Sequence, residues 1–322
     1  MDIGFIGLGN VGAKLAGSLL RNGFGLTVRD LDRDQAQPLL DAGADWAESA
    51  RELAAKVDVI ITCLPSPQVS AAVMEEPDGV LAGMQPGSIW LEMSTTDEAE
   101  VRRLAEDVRA RGATPMDCPV SGGCHRAATG NIAIFAGGER SAFERVLPAL
   151  TAMGRRILHT EELGSASILK VVTNYLASVN LVSLGEALTV ARKSGMDMAT
   201  TYEAIRISSG NSFVHETESQ VILNGSYNIN FTMDLVLKDL SLFENVASRA
   251  EVPLEISPRV MEIFRDGQAR FGARAWSSMI VRRLEEACKT DLRAPGFPEE
   301  MTDDEPEEPG YEVKLKGSQR QP

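Results

Sequence analysis

The sequence predicts an α/β N-terminal domain with a mostly parallel sheet, followed by an all-α domain that a long helix joins to it. Short apolar runs alternate with helical patterns in the first half of the chain, as they do in βαβ units. Beyond residue 160 the strand patterns stop and helical patterns dominate. At 322 residues, the chain is also long enough for two domains.

Six apolar runs in the first half have the length and composition of buried strands. They are Asp2–Ile6, Leu26–Arg29, Val57–Leu64, Ser88–Met93, Ala113–Asp117 and Ile132–Ala136. Helical patterns lie between them, at Val11–Asn22, Ala47–Ala55 and Asp97–Arg111. Strands that are separated by helices pair in parallel, because the chain must cross back before each new strand.

One helical pattern without proline runs from Ser165 to about Lys193. We therefore expect the α/β domain over residues 1–162, the all-α domain over residues 163–290 and an acidic tail over residues 291–322. The tail contains proline, glycine and an acidic cluster, so we expect it to be flexible or to lie along the surface. A contact with a neighbouring subunit is the alternative. We expect removal of the tail after about Leu292 to leave activity intact.

The charge and composition of the chain limit the kinds of partner that it can bind. The formal net charge is -14, with 46 acidic and 32 basic residues, which argues against a nucleic-acid-binding surface. The sequence shows no uninterrupted apolar run of membrane-spanning length and no signal peptide at the N-terminus, so we expect no membrane association. The four cysteines follow no metal-binding pattern. We therefore expect reduced thiols, a cytoplasmic location and no metal.

A glycine-rich motif follows the first strand and precedes the first helix. Its residues are Gly7, Leu8, Gly9, Asn10, Val11 and Gly12. In a dinucleotide fingerprint the first glycine permits a tight turn, the second admits the pyrophosphate and the third lets helix and strand pack closely. The context of strand and helix predicts a Rossmann-like domain that binds a nicotinamide dinucleotide.

Asp30 ends the second strand, about twenty residues beyond this motif. A carboxylate there accepts hydrogen bonds from the ribose hydroxyls of NAD and repels the 2′-phosphate of NADP. NAD is therefore favoured. The neighbouring Arg29 and Arg33 leave NADP open, because an arginine can bind that phosphate.

Two further segments are candidates for substrate chemistry. Ser121, Gly122 and Gly123 follow a strand, and their backbone N–H groups and hydroxyl can hold a carboxylate. A plain turn is the alternative. Lys170 and Asn174 share one face of the long helix among apolar neighbours. Burial there would lower the pKa of a lysine toward the range useful for proton transfer, whereas a lysine that reaches solvent is the alternative.

Four segments in this order resemble the β-hydroxyacid dehydrogenase family, which includes 3-hydroxyisobutyrate dehydrogenase and tartronate semialdehyde reductase. They are Gly4–Gly9, Asp117–Gly123, the segment from Gly164 through Lys170 to Asn174, and Lys238-Asp239. The resemblance implies an NAD-dependent oxidoreductase that interconverts a small 3-hydroxy acid and its aldehyde or ketone. It also implies a homodimer or homotetramer.

The resemblance further implies roles for single residues. Lys170 corresponds to the general acid/base and Asn174 to a residue that positions substrate. Ser121, Gly122 and Gly123 correspond to the loop that holds the substrate carboxylate. Residues expected beside the cofactor are Leu64 and Pro65, Ser94 and Thr95, and Lys238.

His125 and Arg126 depart from the family's pattern, which has small residues after the Ser-Gly-Gly turn. Arg126 can contact a second anionic group and His125 substrate or cofactor, and a solvated loop pair is the alternative. Two alternatives for the whole protein also stay open: an NADPH-dependent semialdehyde reductase, and a catalytically silent nucleotide-binding scaffold.

Overall fold

The computed structural model describes residues 1–315, which form two compact units. The first contains Met1–Lys170 together with residues 303–315, and the second contains Val171–Thr302. The strands are β1 (Asp2–Ile6), β2 (Gly25–Arg29), β3 (Asp45–Trp46), β4 (Val59–Thr62), β5 (Ile89–Glu92), β6 (Thr114–Asp117), β7 (Val120–Ser121), β8 (Ala133–Gly137), β9 (Arg156–Glu161) and β10 (Tyr311–Glu312).

Helices fill the connections between the strands of the first unit and make up nearly all of the second. In the first unit they are α1 (Gly12–Arg21), α2 (Gln37–Asp41), α3 (Ala50–Ala54), α4 (Pro67–Glu75), α5 (Val80–Gly83), α6 (Glu98–Ala110), α7 (Gly123–Thr129) and α8 (Arg140–Met153). Helix α9 (Ser165–Lys193) begins in the first unit and continues in the second, followed by α10 (Met198–Arg206), α11 (Phe213–Asn224), α12 (Met233–Arg249), α13 (Ser257–Phe271) and α14 (Arg282–Cys288).

The strands form one mostly parallel sheet. Their order is β10-β9-β8-β6-β5-β4-β1-β2-β3, and β7 pairs with β8. Among the strands of residues 1–315, the antiparallel pairs are β6 with β8 and β7 with β8, whereas β8 pairs in parallel with β9. The predicted fold class, an α/β Rossmann-like domain followed by helices, is confirmed.

Apolar clusters lie on both faces of the sheet, as a parallel sheet covered by helices requires. In β4, Val59 and Ile61 belong to the cluster that packs with α1 and α8, whereas Ile60 belongs to the cluster that contains Trp90. Successive side chains of a strand point to opposite faces, so this alternation accounts for the unbroken apolar run. The covered sheet holds the glycine-rich loop and the ends of β4, β5 and β6 in fixed places.

The sequence patterns missed the shortest strands and the sheet edge. β3, β7 and β10 have two residues each, too few for a periodic pattern to appear. β9 has the sequence Arg-Ile-Leu-His-Thr-Glu, whose polar residues hide the strand signal. It is nevertheless paired on both sides, with β8 and with β10.

Helix α9 begins and ends at the residues that the sequence pattern predicts. By length and hydropathy alone it could cross a membrane, but a core helix of a soluble protein passes the same test. Leu181, Leu184 and Leu188 of α9 pack into the apolar core of the second unit, against α12 and α13. The helix thereby supplies one wall of that core.

The acidic tail from Asp303 to Leu315 belongs to the first unit, whereas the segment before it belongs to the second. Within the first unit, β10 pairs in parallel with β9. The predicted domain boundaries after residues 162 and 290 stay predictions, as does the flexibility of the tail. The four cysteines are free thiols.

Candidate functional site

The glycine-rich loop has the geometry of a cradle for a pyrophosphate. Gly7 adopts a φ of +97°, and a Cβ there would collide with the carbonyl oxygen of Cys63. A Cβ on Gly12 would likewise collide with the carbonyl oxygen of Gly7. A Cβ on Gly9 would meet no described atom within 4 Å. The protein's own packing does not require glycine there, but the close approach of a bound dinucleotide does.

The N-terminus of α1 is also suited to an anion. Val11, at the N-cap, makes no side-chain cap, and the first turn of α1 holds no acidic residue. The partial positive charge of the helix N-terminus is therefore not neutralised by the helix's own side chains. These residues fit a dinucleotide, so the loop can hold its phosphates by backbone N–H groups.

Asp30 is fixed directly beside the loop. Its Oδ2 accepts a hydrogen bond of 2.6 Å from the backbone N–H of Leu8, and its Oδ1 accepts one of 3.0 Å from Asp32. The carboxylate is thus held at the end of β2, where a ribose is expected. Arg29 and Arg33 both lie over the ring of Trp46, at 5.0 and 5.2 Å from its centre. Two cations therefore remain close to the same strand end.

The two segments expected beside the nicotinamide are joined by a buried hydrogen-bond chain. The backbone N–H of Leu64 donates to Oγ of Ser94 at 2.7 Å, and the N–H of Ser94 donates to Oε1 of Glu92 at 2.9 Å. Burial raises the pKa of the Glu92 carboxyl, while interactions with Ser94, Ser70 and Thr62 oppose the rise. Pro65 follows Leu64 and Thr95 follows Ser94, so these hydrogen bonds fix the two segments relative to each other.

A second buried carboxylate, Asp117, joins the end of β6 to the start of α9. Its Oδ1 accepts from the N–H of Gly164 at 2.8 Å, and its Oδ2 accepts from the N–H and the hydroxyl of Ser167 at 2.7 and 2.9 Å. Burial raises the pKa of Asp117, and these three donors oppose the rise. Asp117 therefore caps α9 from a distant strand. Lys170 lies one turn further along, on the same helix, and its residue surface is 8% exposed.

The Ser121-Gly122-Gly123 turn leads from β7 into α7. Gly122 and Gly123 have φ values of +130° and +88°, in a region that favours glycine. The ring of His125 would lie 2.9 Å from a Cβ on Gly123, and Cδ of Arg126 would lie 3.4 Å from a Cβ on Gly122. Burial and the charge of Arg126 lower the pKa of His125. Both side chains thus border the turn and are not a solvated pair.

In the second unit, Asn174 and Lys238 share a buried acidic partner. Nδ2 of Asn174 donates to Oδ2 of Asp239 at 2.6 Å, and Nζ of Lys238 lies 3.1 Å from Oδ1 of the same carboxylate. Asp239 is buried. The carboxylate therefore orients the amide of Asn174 and holds the ammonium of Lys238 beside it.

The structure thus groups the predicted residues by unit. The first unit holds the glycine-rich loop with Asp30, the linked segments at Leu64 and Thr95, the Ser121–Gly123 turn and Lys170. The second holds Asn174 with Lys238. The roles of these residues stay predictions. Sequence reasoning assigned no role to Glu92, Asp117 or Asp239, although an acidic residue within an apolar run is a signal that could have found each of them.

Comparison with known proteins identifies the class. Residues 2–161 match the family model for the NAD binding domain of 6-phosphogluconate dehydrogenase. Residues 164–284 match the model described as NAD-binding of NADP-dependent 3-hydroxyisobutyrate dehydrogenase. Together with the fold, these matches define an NAD(P)-dependent oxidoreductase.

Individual relatives narrow the class to a family. The chain is 33% identical to 2-(hydroxymethyl)glutarate dehydrogenase of Eubacterium barkeri, over 89% of this chain and 95% of that protein. It is 33% identical to NAD-dependent L-serine dehydrogenase of Pseudomonas aeruginosa, over 82% and 91%. The crystal structure of 3-hydroxyisobutyrate dehydrogenase from Salmonella typhimurium matches with a TM-score of 0.81 and 29% identity, over 88% and 99%. The chain belongs to the β-hydroxyacid dehydrogenase family, whose members act on CH–OH groups.

The buried cap of α9 leads to a first prediction. Asp117→Ala removes the acceptor of three buried donors and should lower the free energy of unfolding by about 3 kcal/mol. Urea unfolding followed by circular dichroism measures the change. The matched control is Asp197→Ala, which removes an exposed cap of α10 and should lower the free energy of unfolding by less. A loss no larger than that of the control would contradict the role of Asp117.

The Asp239 carboxylate, which contacts both Asn174 and Lys238, leads to a second prediction. Asp239→Ala should lower kcat about 10²-fold, because misplacement of a positioning group by about 1 Å has an effect of that size. Asp239→Asn keeps an acceptor for Asn174 and should recover part of the loss. Steady-state kinetics checks both variants, with Asp234→Ala on the same helix as control. Equal activity of the Ala and Asn variants would refute the orientation of Asn174 by Asp239.

Proposed function

We propose that this enzyme interconverts a small 3-hydroxy acid and its aldehyde or ketone with NAD, with Lys170 as general acid/base. One observation carries the proposal. Asp117 caps the helix that bears Lys170, and the strand that ends at Asp117 leads directly into the Ser121–Gly123 turn. The proton-transfer group and the candidate carboxylate anchor are therefore fixed to the same buried carboxylate within one unit.

The proposed mechanism follows from these groups. Bound NAD supplies the acceptor for the hydride from the carbinol carbon. The unprotonated amine of Lys170 takes the hydroxyl proton in oxidation, and its ammonium returns that proton to the oxygen in reduction. The hydroxyl of Ser121 and the N–H groups of Gly122 and Gly123 hold the substrate carboxylate. Asn174, oriented by Asp239, is the proposed positioning residue for substrate.

The names of the relatives suggest what the substrate contains. 2-(Hydroxymethyl)glutarate, L-serine and 3-hydroxyisobutyrate share a carboxylate and a primary alcohol, both attached to the same carbon atom. They differ in the third group on that carbon. We propose that the substrate of this chain carries the shared fragment, in which case its oxidation product is the aldehyde and not the ketone. Such a fragment matches one carboxylate anchor and one proton-transfer group.

NAD is the proposed cofactor, and the fixed carboxylate of Asp30 supports it. The relative from Pseudomonas aeruginosa is named as NAD-dependent. NADP is the second candidate, favoured by the guanidinium groups of Arg29 and Arg33 over Trp46 and by the NADP-dependent enzyme in the description of the second family model. A semialdehyde reductase that uses NADPH would follow from this second candidate.

Lys170→Ala should lower kcat by about 10³-fold, because general acid–base catalysis contributes 10² to 10⁴. Binding of NAD should be unchanged, as measured by quenching of protein fluorescence. The assay compares NAD and NADP across 3-hydroxyisobutyrate, L-serine and 2-(hydroxymethyl)glutarate. Lys193→Ala, at the exposed end of the same helix, is the control. Retained turnover in Lys170→Ala would exclude the lysine as general acid/base.

Asp30→Ala should lower the ratio of kcat/KM for NAD to that for NADP by about 10- to 100-fold, the range for a lost hydrogen bond to a charged group. The ratio is the informative quantity, because the lost contact with Leu8 would weaken the binding of both cofactors. Asp34→Ala, a nearby exposed carboxylate, should leave the ratio unchanged. An unaltered ratio in Asp30→Ala would show that another residue sets the cofactor preference.

A further inference from the structure

The acidic tail enters the first unit at Asp303, beyond the residues that either family model matches. We call residues 303–312 the strap. Five of its acidic side chains contact basic or polar side chains of the first unit: Asp303, Glu305, Glu307, Glu308 and Glu312. The strap is thus a feature of this chain to which the proposed mechanism gives no role.

The strap contacts the C-terminal end of α7, the helix that follows the Ser121–Gly123 turn. Oδ2 of Asp303 accepts hydrogen bonds from the hydroxyl of Thr129 and from Nδ2 of Asn131, the latter at 2.7 Å. The same amide of Asn131 donates to the backbone carbonyl of Glu305 at 3.0 Å. Asn131 is buried. Asp303 therefore ties the strap to the last residue of α7 and to the buried residue two positions beyond it.

The strap also contacts the middle of α7, at its fourth residue. Nη2 of Arg126 donates to Oε1 of Glu305 at 2.8 Å, and the side chain of Arg126 is 22% exposed. Arg126 is the residue whose Cδ lies over Gly122. The charge that borders the substrate turn is thus paired with a carboxylate that is 179 positions away in the sequence.

The far end of the strap is anchored independently of α7. Arg140 forms a two-bond pair with Glu312 at 2.6 and 3.1 Å, and β10 pairs with β9. A Cβ on Gly310 would collide with the carbonyl oxygen of Gly154, so the backbones there are in close contact. This anchoring holds Asp303 and Glu305 near α7 and reduces the entropy that their contacts must overcome.

Helix α7 needs such support, because it has only seven residues, follows Gly122 and begins with Gly123, and both glycines have positive φ. A helix of this length is not stable by itself. We propose that Asp303 and Glu305 are positioning residues that fix α7 and thereby the Ser121–Gly123 turn in its substrate-binding conformation. The inference rests on the proposed function, in which this turn holds the substrate carboxylate. It reverses the expectation that the tail can be removed without loss of activity.

The test compares Asp303→Ala/Glu305→Ala with Glu308→Ala, which removes another strap carboxylate, paired with Arg155 away from α7. The first variant should raise KM for the hydroxy acid roughly tenfold, the effect of about one lost hydrogen bond to a charged group. KM for NAD and kcat should not change. The turn contacts the substrate carboxylate equally in the ground state and the transition state, so a loss of this contact acts on KM for the hydroxy acid. Asp303→Asn/Glu305→Gln keeps the acceptor oxygens and should restore much of the affinity.

Hydrogen–deuterium exchange gives a readout that does not need a substrate. Peptides covering residues 120–130 should exchange faster in Asp303→Ala/Glu305→Ala than in the wild type, and peptides covering α6 should not change. If the wild type turns over no hydroxy acid but α7 exchanges faster in the variant, the proposed function fails and the positioning of α7 stands. Unchanged exchange in residues 120–130, or a KM equal to that of Glu308→Ala, would overturn the inference.

Discussion

The arrangement of the candidate site in the first unit depends on the carboxylate of Asp117. A helix leaves its first N–H groups without partners inside the helix, and α9 begins in a buried place where water cannot serve them. Asp117 accepts from two of these N–H groups and from a hydroxyl, and the same residue ends β6. One side chain therefore joins the sheet, the turn that follows β6 and the helix that carries Lys170. Loss of this carboxylate would separate the elements on which the proposed chemistry depends.

A buried acidic side chain also joins two segments of the candidate site at two other places. Glu92 ends β5 and joins the two segments that are expected beside the nicotinamide, and Asp239 joins Asn174 to Lys238 in the second unit. Each carboxylate is buried, so each requires donors to offset its loss of water. Those donors are the groups that the predicted site needs in fixed orientations. The donors that these buried carboxyl groups hold thereby contribute to a preorganised site.

Local sequence patterns were sufficient to predict most helices and strands and the nucleotide-binding motif. Both ends of α9 and of β1 follow from apolar periodicity, and the glycine-rich loop follows from its place between strand and helix. Local patterns were insufficient wherever a partner lies far along the chain. Arg126 could be recognised as unusual for the family, but its contact with Glu305 depends on the path of the whole chain. The sequence places Asp117 in a family motif. It does not predict that Asp117 caps α9, because that contact requires the end of β6 to lie beside the start of α9.

The position of β10 has a consequence for solubility. β9 would otherwise end the sheet with a row of unpaired backbone groups, and such an edge can pair with a strand from another chain. Tyr311 and Glu312 occupy that edge in parallel with Arg156 and Ile157, and the N–H of Val313 donates to the carbonyl of Ile157. The strand is only two residues long and carries a charge, so it offers little backbone for a further strand. β10 thus blocks the pairing of another chain with the first residues of β9, and β8 covers the opposite side of β9.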